Sequence, residues 1–392
     1  MREFPMVAKT FKGLEGVLAE ELSDLGAKEV KIGNRAVSFS GDTALLYRAN
    51  LCVRTALRIL VPIATFQATN ADEVYEGVRK IDWATYMDLQ QTFSVESNVF
   101  SDSFRNSRYV TYRVKDAIAD WWMDKKGQRP NVRVTNPDVY INVHIAQKTV
   151  TVSLDSSGES LHKRGYRVAT TQAPMNEVLA AGLLLLAGWS GQCDFYDPMC
   201  GSGTLPIEAA LIAKNIPANI YRSSFAFEKW LNFNAVLWDE IYNDDGNEQP
   251  FNHQIYASDA SFYAIEASKK NIAQAALQKD IQLKQVRMEE IKRDTTSAFV
   301  MLNPPYGERL QANKDIVDLY GRIGTTLKHT FAGSVAWIIS ANMEAMKAVG
   351  LKPMKKIPIL NGELPCTFNQ YELFAGEHKE WKKNKLLQSR GF

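Results

Sequence analysis

The segment Asp194-Phe195-Tyr196-Asp197-Pro198-Met199-Cys200-Gly201-Ser202-Gly203-Thr204 reads as a short strand, a turn with two glycines, and the opening of a helix over residues 205–214. Glycines let a backbone pass close to a ligand, and a helix start offers N–H groups that no intrahelical carbonyl satisfies. The dinucleotide-binding fingerprint wants a third glycine near position 206. Pro206 stands there instead, which suits the first turn of a helix and not that fingerprint. A tight strand–helix turn without a ligand is the plain alternative for this segment read alone.

Downstream the rhythm repeats. Strand-like runs at 254–257, 281–286, 298–302 and 334–340 alternate with helical stretches such as 260–277. Such alternation builds a parallel sheet covered on both faces. The end departs from it: residues 354–360 and 363–374 flank Asn361-Gly362, a two-residue hairpin signal. A parallel sheet closed by an antiparallel hairpin is the layout of S-adenosylmethionine methyltransferases. The expected fold class is therefore α/β, a Rossmann-like, mostly parallel seven-stranded sheet over 175–392.

Upstream the pattern is α+β. Residues 92–96 alternate as a strand. Residues 109–123 carry Val110, Val114, Ala117, Ile118 and Trp121 at helical spacing, which makes Trp121 core and leaves Trp122 open. Residues 139–146 and 148–154 alternate as a hairpin, and before them come a helix at 16–25, short strands at 30–32 and 36–39, a helix at 43–50 and a strand at 54–63. The expected division is 1–64, 65–155, a linker at 156–174, and 175–392.

Composition excludes several classes. In 392 residues the net charge is only +2, so any nucleic-acid surface must be local. The four cysteines (Cys52, Cys193, Cys200, Cys366) form no CxxC pair and the five histidines are isolated. That argues against a disulfide framework and a metal site. No signal core opens the chain, and the longest apolar stretch, 178–189, is too short to span a bilayer. A cytoplasmic protein is the default expectation.

Asp197, Pro198, Cys200, Gly201, Gly203 and Thr204 are the candidate cofactor contacts of the first loop. The second strand ends in Ser258-Asp259. A carboxylate there can accept both ribose hydroxyls of a nucleoside, or simply cap the next helix. The third ends near Glu290, a candidate acceptor for an adenine amino group or a solvated loop acid. The fourth is followed by Asn303-Pro304-Pro305-Tyr306. The Asn303 oxygen can accept one N–H of an exocyclic amine and the Pro304 carbonyl the other. Two prolines fix φ and bring no competing donor. Tyr306 can stack on a planar base. A rigid Pro-Pro turn is the alternative.

At this point the residues resemble a known family, the THUMP-containing guanine-N2 methyltransferases of large-subunit ribosomal RNA, the RlmL type. The segments that carry the likeness are Leu161-His162-Lys163-Arg164-Gly165-Tyr166-Arg167, Ala173-Pro174-Met175-Asn176-Glu177, 197–204, Phe225-Ala226-Phe227-Glu228-Lys229-Trp230, Ser258-Asp259 and 303–309. The likeness covers nearly the whole chain. It implies a ferredoxin-like piece, a THUMP RNA-binding domain over 65–155, and S-adenosylmethionine as cofactor with S-adenosylhomocysteine as product; the second methyltransferase module fused in some members is not expected in this chain. Members of that family usually carry an aspartate after the third strand, where this chain has Arg287-Met288-Glu289-Glu290.

Residues 105–133 hold eight Lys or Arg against three Asp. Arg105, Arg108, Arg113, Lys125, Lys126 and Arg129 are the candidate phosphate contacts there, with Lys163, Arg164 and Arg167 in the expected linker. A solvated helix face is the alternative for each. A guanine inside a duplex cannot present its amine, so the target must be unpaired or flipped. The expectation is a 23S rRNA guanine-N2 methyltransferase, acting on rRNA or a pre-ribosomal particle, with no membrane or metal. A THUMP tRNA enzyme, a DNA adenine-N6 enzyme and a non-catalytic assembly factor are the other readings.

Overall fold

The computed structural model describes residues 2–104, 106–293, 297–305 and 313–374. They gather into two compact units. The first holds Met1–Lys163 and Arg222–Asp244, the second Arg164–Tyr221 and Asp245–Phe392.

In the first unit the elements run β1 (Phe4–Lys9), α1 (Glu15–Asp24), β2 (Lys28–Gly33), β3 (Ala36–Gly41), α2 (Thr43–Cys52), β4 (Arg58–Gln67), α3 (Ala71–Arg79), β5 (Phe93–Phe100), α4 (Ser107–Lys126), β6 (Val139–Ala146) and β7 (Thr149–Asp155). Their strands form one sheet in the order β2-β3-β1-β4-β7-β6-β5. The division expected at residue 64 therefore falls inside β4, which pairs with β1 on one side and β7 on the other. β4 also starts later than expected: the Glu21 carboxylate captures the N–H groups of Arg54 (2.8 Å) and Thr55 (3.0 Å), which holds that stretch out of the sheet. α4 buries Val110, Val114, Ala117, Ile118 and Trp121 as its spacing requires, and Trp122 is core as well.

The second unit runs α5 (Glu177–Leu186), β8 (Phe195–Asp197) and α6 (Thr204–Ala213). The chain then makes α7 (Ala235–Tyr242) within the first unit and returns for β9 (Ile255–Asp259), α8 (Phe262–Gln274), β10 (Ile281–Gln285), β11 (Phe299–Leu302), α9 (Asn313–Thr330), β12 (Val335–Ser340), α10 (Met343–Ala348), β13 (Lys355–Asn361) and β14 (Leu364–Glu372). The sheet order is β10-β9-β8-β11-β12-β14-β13. β8 to β12 pair in parallel and β14 runs antiparallel to both neighbours. β11 is Phe-Val-Met-Leu, buried throughout, as a strand covered on both faces must be. Each such side chain contributes about 1.5–3 kcal/mol by leaving water. In the closing hairpin Asn361 pairs with Leu364, so the loop is Gly362-Glu363, one residue later than Asn-Gly suggests. Gly362 supplies the positive φ (64°) that a two-residue turn requires at its first central position.

The segment Arg222–Asp244 leaves the second unit and packs in the first. Phe227 stacks on Tyr47 at 4.5 Å, and Trp238 meets Phe227 edge-on at 5.0 Å. Arg222 donates to the carbonyls of Ser157, Glu159, Ser160 and Lys163. The 164–174 stretch belongs to the second unit, so it is not a free linker.

Candidate active site

β8, β9 and β11 are parallel neighbours, so their carboxyl ends open on one edge of the sheet, where ligands bind in such folds. After β8 the loop turns through Gly201 (φ 56°) and Gly203 (φ 84°). Gly203 is the N-cap of α6, and a Cβ there would lie 3.1 Å from Ser268 Oγ. Positive φ and the close helix both demand glycine. The loop backbone is tied down on every side. Cys200 N donates to Ser258 O (2.9 Å) and Gly201 N to Asp259 Oδ2 (3.0 Å). Ser268 Oγ donates to Gly201 O (2.8 Å) and Asn271 Nδ2 to Ser202 O (2.9 Å).

Asp259 is not the cap of α8. Ser261 takes that role, and Asp259 accepts from Ser261 N (2.8 Å) as well as Gly201 N. Each carboxylate oxygen retains a lone pair for a hydroxyl. Asp197 is almost wholly buried. Burial pushes its carboxyl well above the ordinary range, a hydrogen bond from Met199 N opposes this, and the Asp259 charge adds to the rise.

A cleft of about 1330 Å³ spans these ends. Asp197, Cys200, Gly201, Thr204 and Asp259 line it together with Asn303, Pro304 and Pro305. Asn303 Oδ1 is buried and accepts no hydrogen bond among the described residues. An orphaned acceptor inside a ligand-sized cleft calls for a donor from outside. Tyr306 lies outside the described residues.

Other expected contacts fall elsewhere. Pro198 and Gly203 support the loop but do not line the cleft. Glu290 is exposed on a short turn after β10 and does not line the cleft. Arg164 is fully buried, bonded to Glu208 (3.3 Å) and Asn219 (3.2 Å), where no phosphate can reach it. Arg167 is a pin: it donates to Glu177 (2.7 Å), Met175 O (2.8 Å) and Thr204 Oγ1 (3.0 Å). Lys163 pairs with Glu159 (2.8 Å). On α4 and beyond, Arg113 pairs with Asp72 (2.8 Å) over the Tyr75 ring, Arg129 pairs with Asp120 (2.7 Å), and Lys125 leans toward Trp121. Arg108 and Lys126 are exposed, and Arg105 lies outside the described residues.

Two functional features had no signal in the sequence. Asn271 reads as one more polar residue on a helix. It accepts from Val168 N and Ala169 N and donates to Ala169 O and Ser202 O, all within 2.8–2.9 Å. It thereby joins residues 168–169 to the glycine loop, and the following residues 171–175 form one wall of the cleft. The stretch 341–343 after β12 forms another wall.

Among the described residues no helix is long and apolar enough to cross a membrane, and no group of His, Cys, Asp or Glu is placed to hold a metal.

Three family models match the chain: the RMKL-like methyltransferase domain over 164–370, the THUMP domain over 68–155, and the RlmL ferredoxin-like domain over 5–60. The chain is 38% identical over 372 residues to "Putative RNA methyltransferase slr0064" of Synechocystis sp., covering 94% of this chain and 97% of that one. It is 36% identical over 367 residues to the ribosomal RNA large subunit methyltransferase K/L of Cellvibrio japonicus, covering 90% of this chain but 49% of that longer protein. Among solved structures it resembles SMU.472, complexed with SAH, at 30% identity and a TM-score of 0.86, covering 96% of this chain and 100% of that one. It likewise resembles a predicted N6-adenine-specific DNA methylase from Listeria monocytogenes (31%, TM-score 0.85, 95% and 97% covered). The cleft fits S-adenosylmethionine. Asp259 suits ribose hydroxyls, the glycine loop admits a close backbone contact, and buried Asp197 suits a cationic amino group. The chain belongs to the THUMP-bearing, RlmL-type family of methyltransferases, with S-adenosylmethionine as its methyl donor.

Proposed function

We propose that the chain methylates the exocyclic N2 of a guanine in large-subunit ribosomal RNA. The observation that carries an amine as the acceptor of the methyl group is the buried Asn303 Oδ1, without a hydrogen-bond partner among the described residues, in the cleft that also holds the glycine loop and Asp259. S-adenosylmethionine, when bound, supplies a sulfonium methyl group. Asn303 Oδ1 and the Pro304 carbonyl accept the two amine N–H groups and so turn the nitrogen lone pair toward that methyl. The same two oxygens stabilise the positive charge that grows on nitrogen as the N–C bond forms and the C–S bond breaks. The surplus proton then leaves the nitrogen for water. Such an amine is weakly nucleophilic, and alignment rather than a strong base sets the rate.

RNA as the substrate is supported by the THUMP match and by the named RNA enzymes among the relatives. Guanine N2 is favoured by the RlmL-type match across the chain. The name of the Listeria structure favours a second reading, adenine N6 in DNA, since the same acceptors would hold that amine. Nucleoside mass spectrometry of rRNA, tRNA and DNA from a deletion strain separates the readings. Loss of N2-methylguanosine from rRNA is expected. An unchanged rRNA level with a loss in tRNA or of N6-methyladenine in DNA overturns the proposal. Calorimetric titration with S-adenosylmethionine tests the enzyme reading itself, and absence of binding would sink it.

A further inference from the structure

The wall of the cleft formed after β12 carries a second asparagine. Asn342 lines the cleft with Asn303, Pro304 and Pro305. β11 and β12 pair in parallel with Leu302 opposite Ile338. Asn303 leaves β11 one residue past that pair and Asn342 leaves β12 four residues past it, on the same edge of the sheet. Both side chains line the one cleft, on adjacent strand ends.

The chemistry of Asn342 is fixed by its neighbours. Its Oδ1 accepts from Ala345 N (2.9 Å), capping α10. That bond forces the orientation of the amide, because only the oxygen can accept. Nδ2, with two donor hydrogens, is left facing away from the cap and makes no hydrogen bond among the described residues. The position is held from below as well. Asn342 N donates to Ser340 Oγ (3.0 Å), and that hydroxyl bonds the Tyr320 hydroxyl (2.8 Å). Ser340 and Tyr320 are both fully buried. A donor held by a cap on one side and a buried hydroxyl pair on the other is preorganised.

We infer that Asn342 is a contact to the target base, its Nδ2 donating to a ring or carbonyl acceptor of the base whose amine is held at Asn303. In guanine that acceptor is N3 or O6. The inference rests on the reading of an amine as the methylated group. Asn303 accepts, Asn342 donates, and together they fix the in-plane rotation of the ring. The site is the side-chain amide, and the helix end plays no part beyond orienting it.

Asn342→Asp is the sharpest test. Aspartate caps a helix as well as asparagine does, so α10 stays, while the donor becomes a carboxylate oxygen facing the lone pair of the base. Asn342→Ser also caps but no longer reaches the base, which guards against a folding defect in the first variant. Large ribosomal subunits and free rRNA from a deletion strain serve as substrate. Both variants should keep the parent Tm and S-adenosylmethionine Kd, and lose about tenfold to a hundredfold in kcat/KM for RNA. Parent-like kcat/KM in both, or a loss that tracks weakened S-adenosylmethionine binding, overturns the inference. Product nucleosides from the parent enzyme are read in parallel. A parent that makes no N2-methylguanosine defeats the functional reading, whereas a parent that makes it beside unaffected variants defeats only the role of Asn342.

Discussion

The two sides of the cleft in the second unit are built on opposite principles. On the side of β8 and β9, backbone and side-chain groups are already engaged with the protein: Cys200 N, Gly201 N, Gly201 O, Ser202 O and both Asp259 oxygens have internal partners. On the side of β11 and β12, Asn303 Oδ1 has none among the described residues. A donor molecule that is the same in every turnover can be met by a rigid cradle. A base delivered by a large RNA must be met by groups that wait unpaired for it. On the proposed reading, the difference separates, within one cleft, what is constant in the reaction from what is selected.

The comparison breaks most visibly at Asn303. Asn303→Ala should lower turnover by about 10²–10³ while calorimetry shows S-adenosylmethionine binding unchanged. Surviving turnover would remove the alignment role. The rigid side breaks at Gly203. Gly203→Ala forces a Cβ into positive φ beside Ser268, at a cost of about 1–2 kcal/mol. A drop of several degrees in Tm and at least tenfold weaker S-adenosylmethionine binding should follow, and an unchanged Kd would show the cradle to be tolerant. Asn271→Ala should act more mildly on the same side. It removes the tie between residues 168–169 and the loop, so Kd for S-adenosylmethionine should rise roughly threefold to tenfold with kcat at saturation little changed. A fall in kcat alone would place Asn271 on the other side of the comparison.

The smallest effect sharpens the contrast. Asp197 is a buried carboxyl within the rigid side, pushed toward its neutral form by burial. A carboxyl whose folded pKa is raised stabilises the fold fully below its ordinary pKa of about 3.9. It loses that contribution as pH climbs toward the raised value. Asp197→Asn keeps the bond from Met199 N and removes the titration. Without cofactor it should melt higher than the parent at neutral pH and alike at about pH 3, by differential scanning calorimetry. Equal melting at both would mean that the burial is already compensated.

Much of this was legible in the sequence, and for identifiable reasons. β11 declared itself because a strand covered on both faces must be apolar throughout, and the polar Asn303 after it could only be an end. The glycine loop and Asp259 were legible because their places follow from the strand–helix rhythm. The Gly362 turn was legible to within one residue. Arg164 and Arg167 were misjudged as RNA contacts because a run of basic residues looks solvated. Their partners, Glu208 and Glu177, lie 44 and 10 residues away, and only the fold brings them close. Asn271 and Asn342 were invisible for a related reason. An asparagine announces neither which of its two ends is occupied nor by whom.

The excursion of Arg222–Asp244 bears on how the protein is made. As the chain leaves the ribosome, the sheet of the first unit is complete by Asp155, yet Tyr47 waits for Phe227 and Trp238, some 180 residues downstream of it. Until then the Tyr47 face of the first unit is open to water and to other nascent chains. The first unit closes only after β8 and α6 of the second have been synthesised, so the two cannot mature strictly in turn. An amino-terminal fragment ending at Lys163 should bind a hydrophobic dye that the full chain does not, and adding the 222–244 segment as a peptide should displace it.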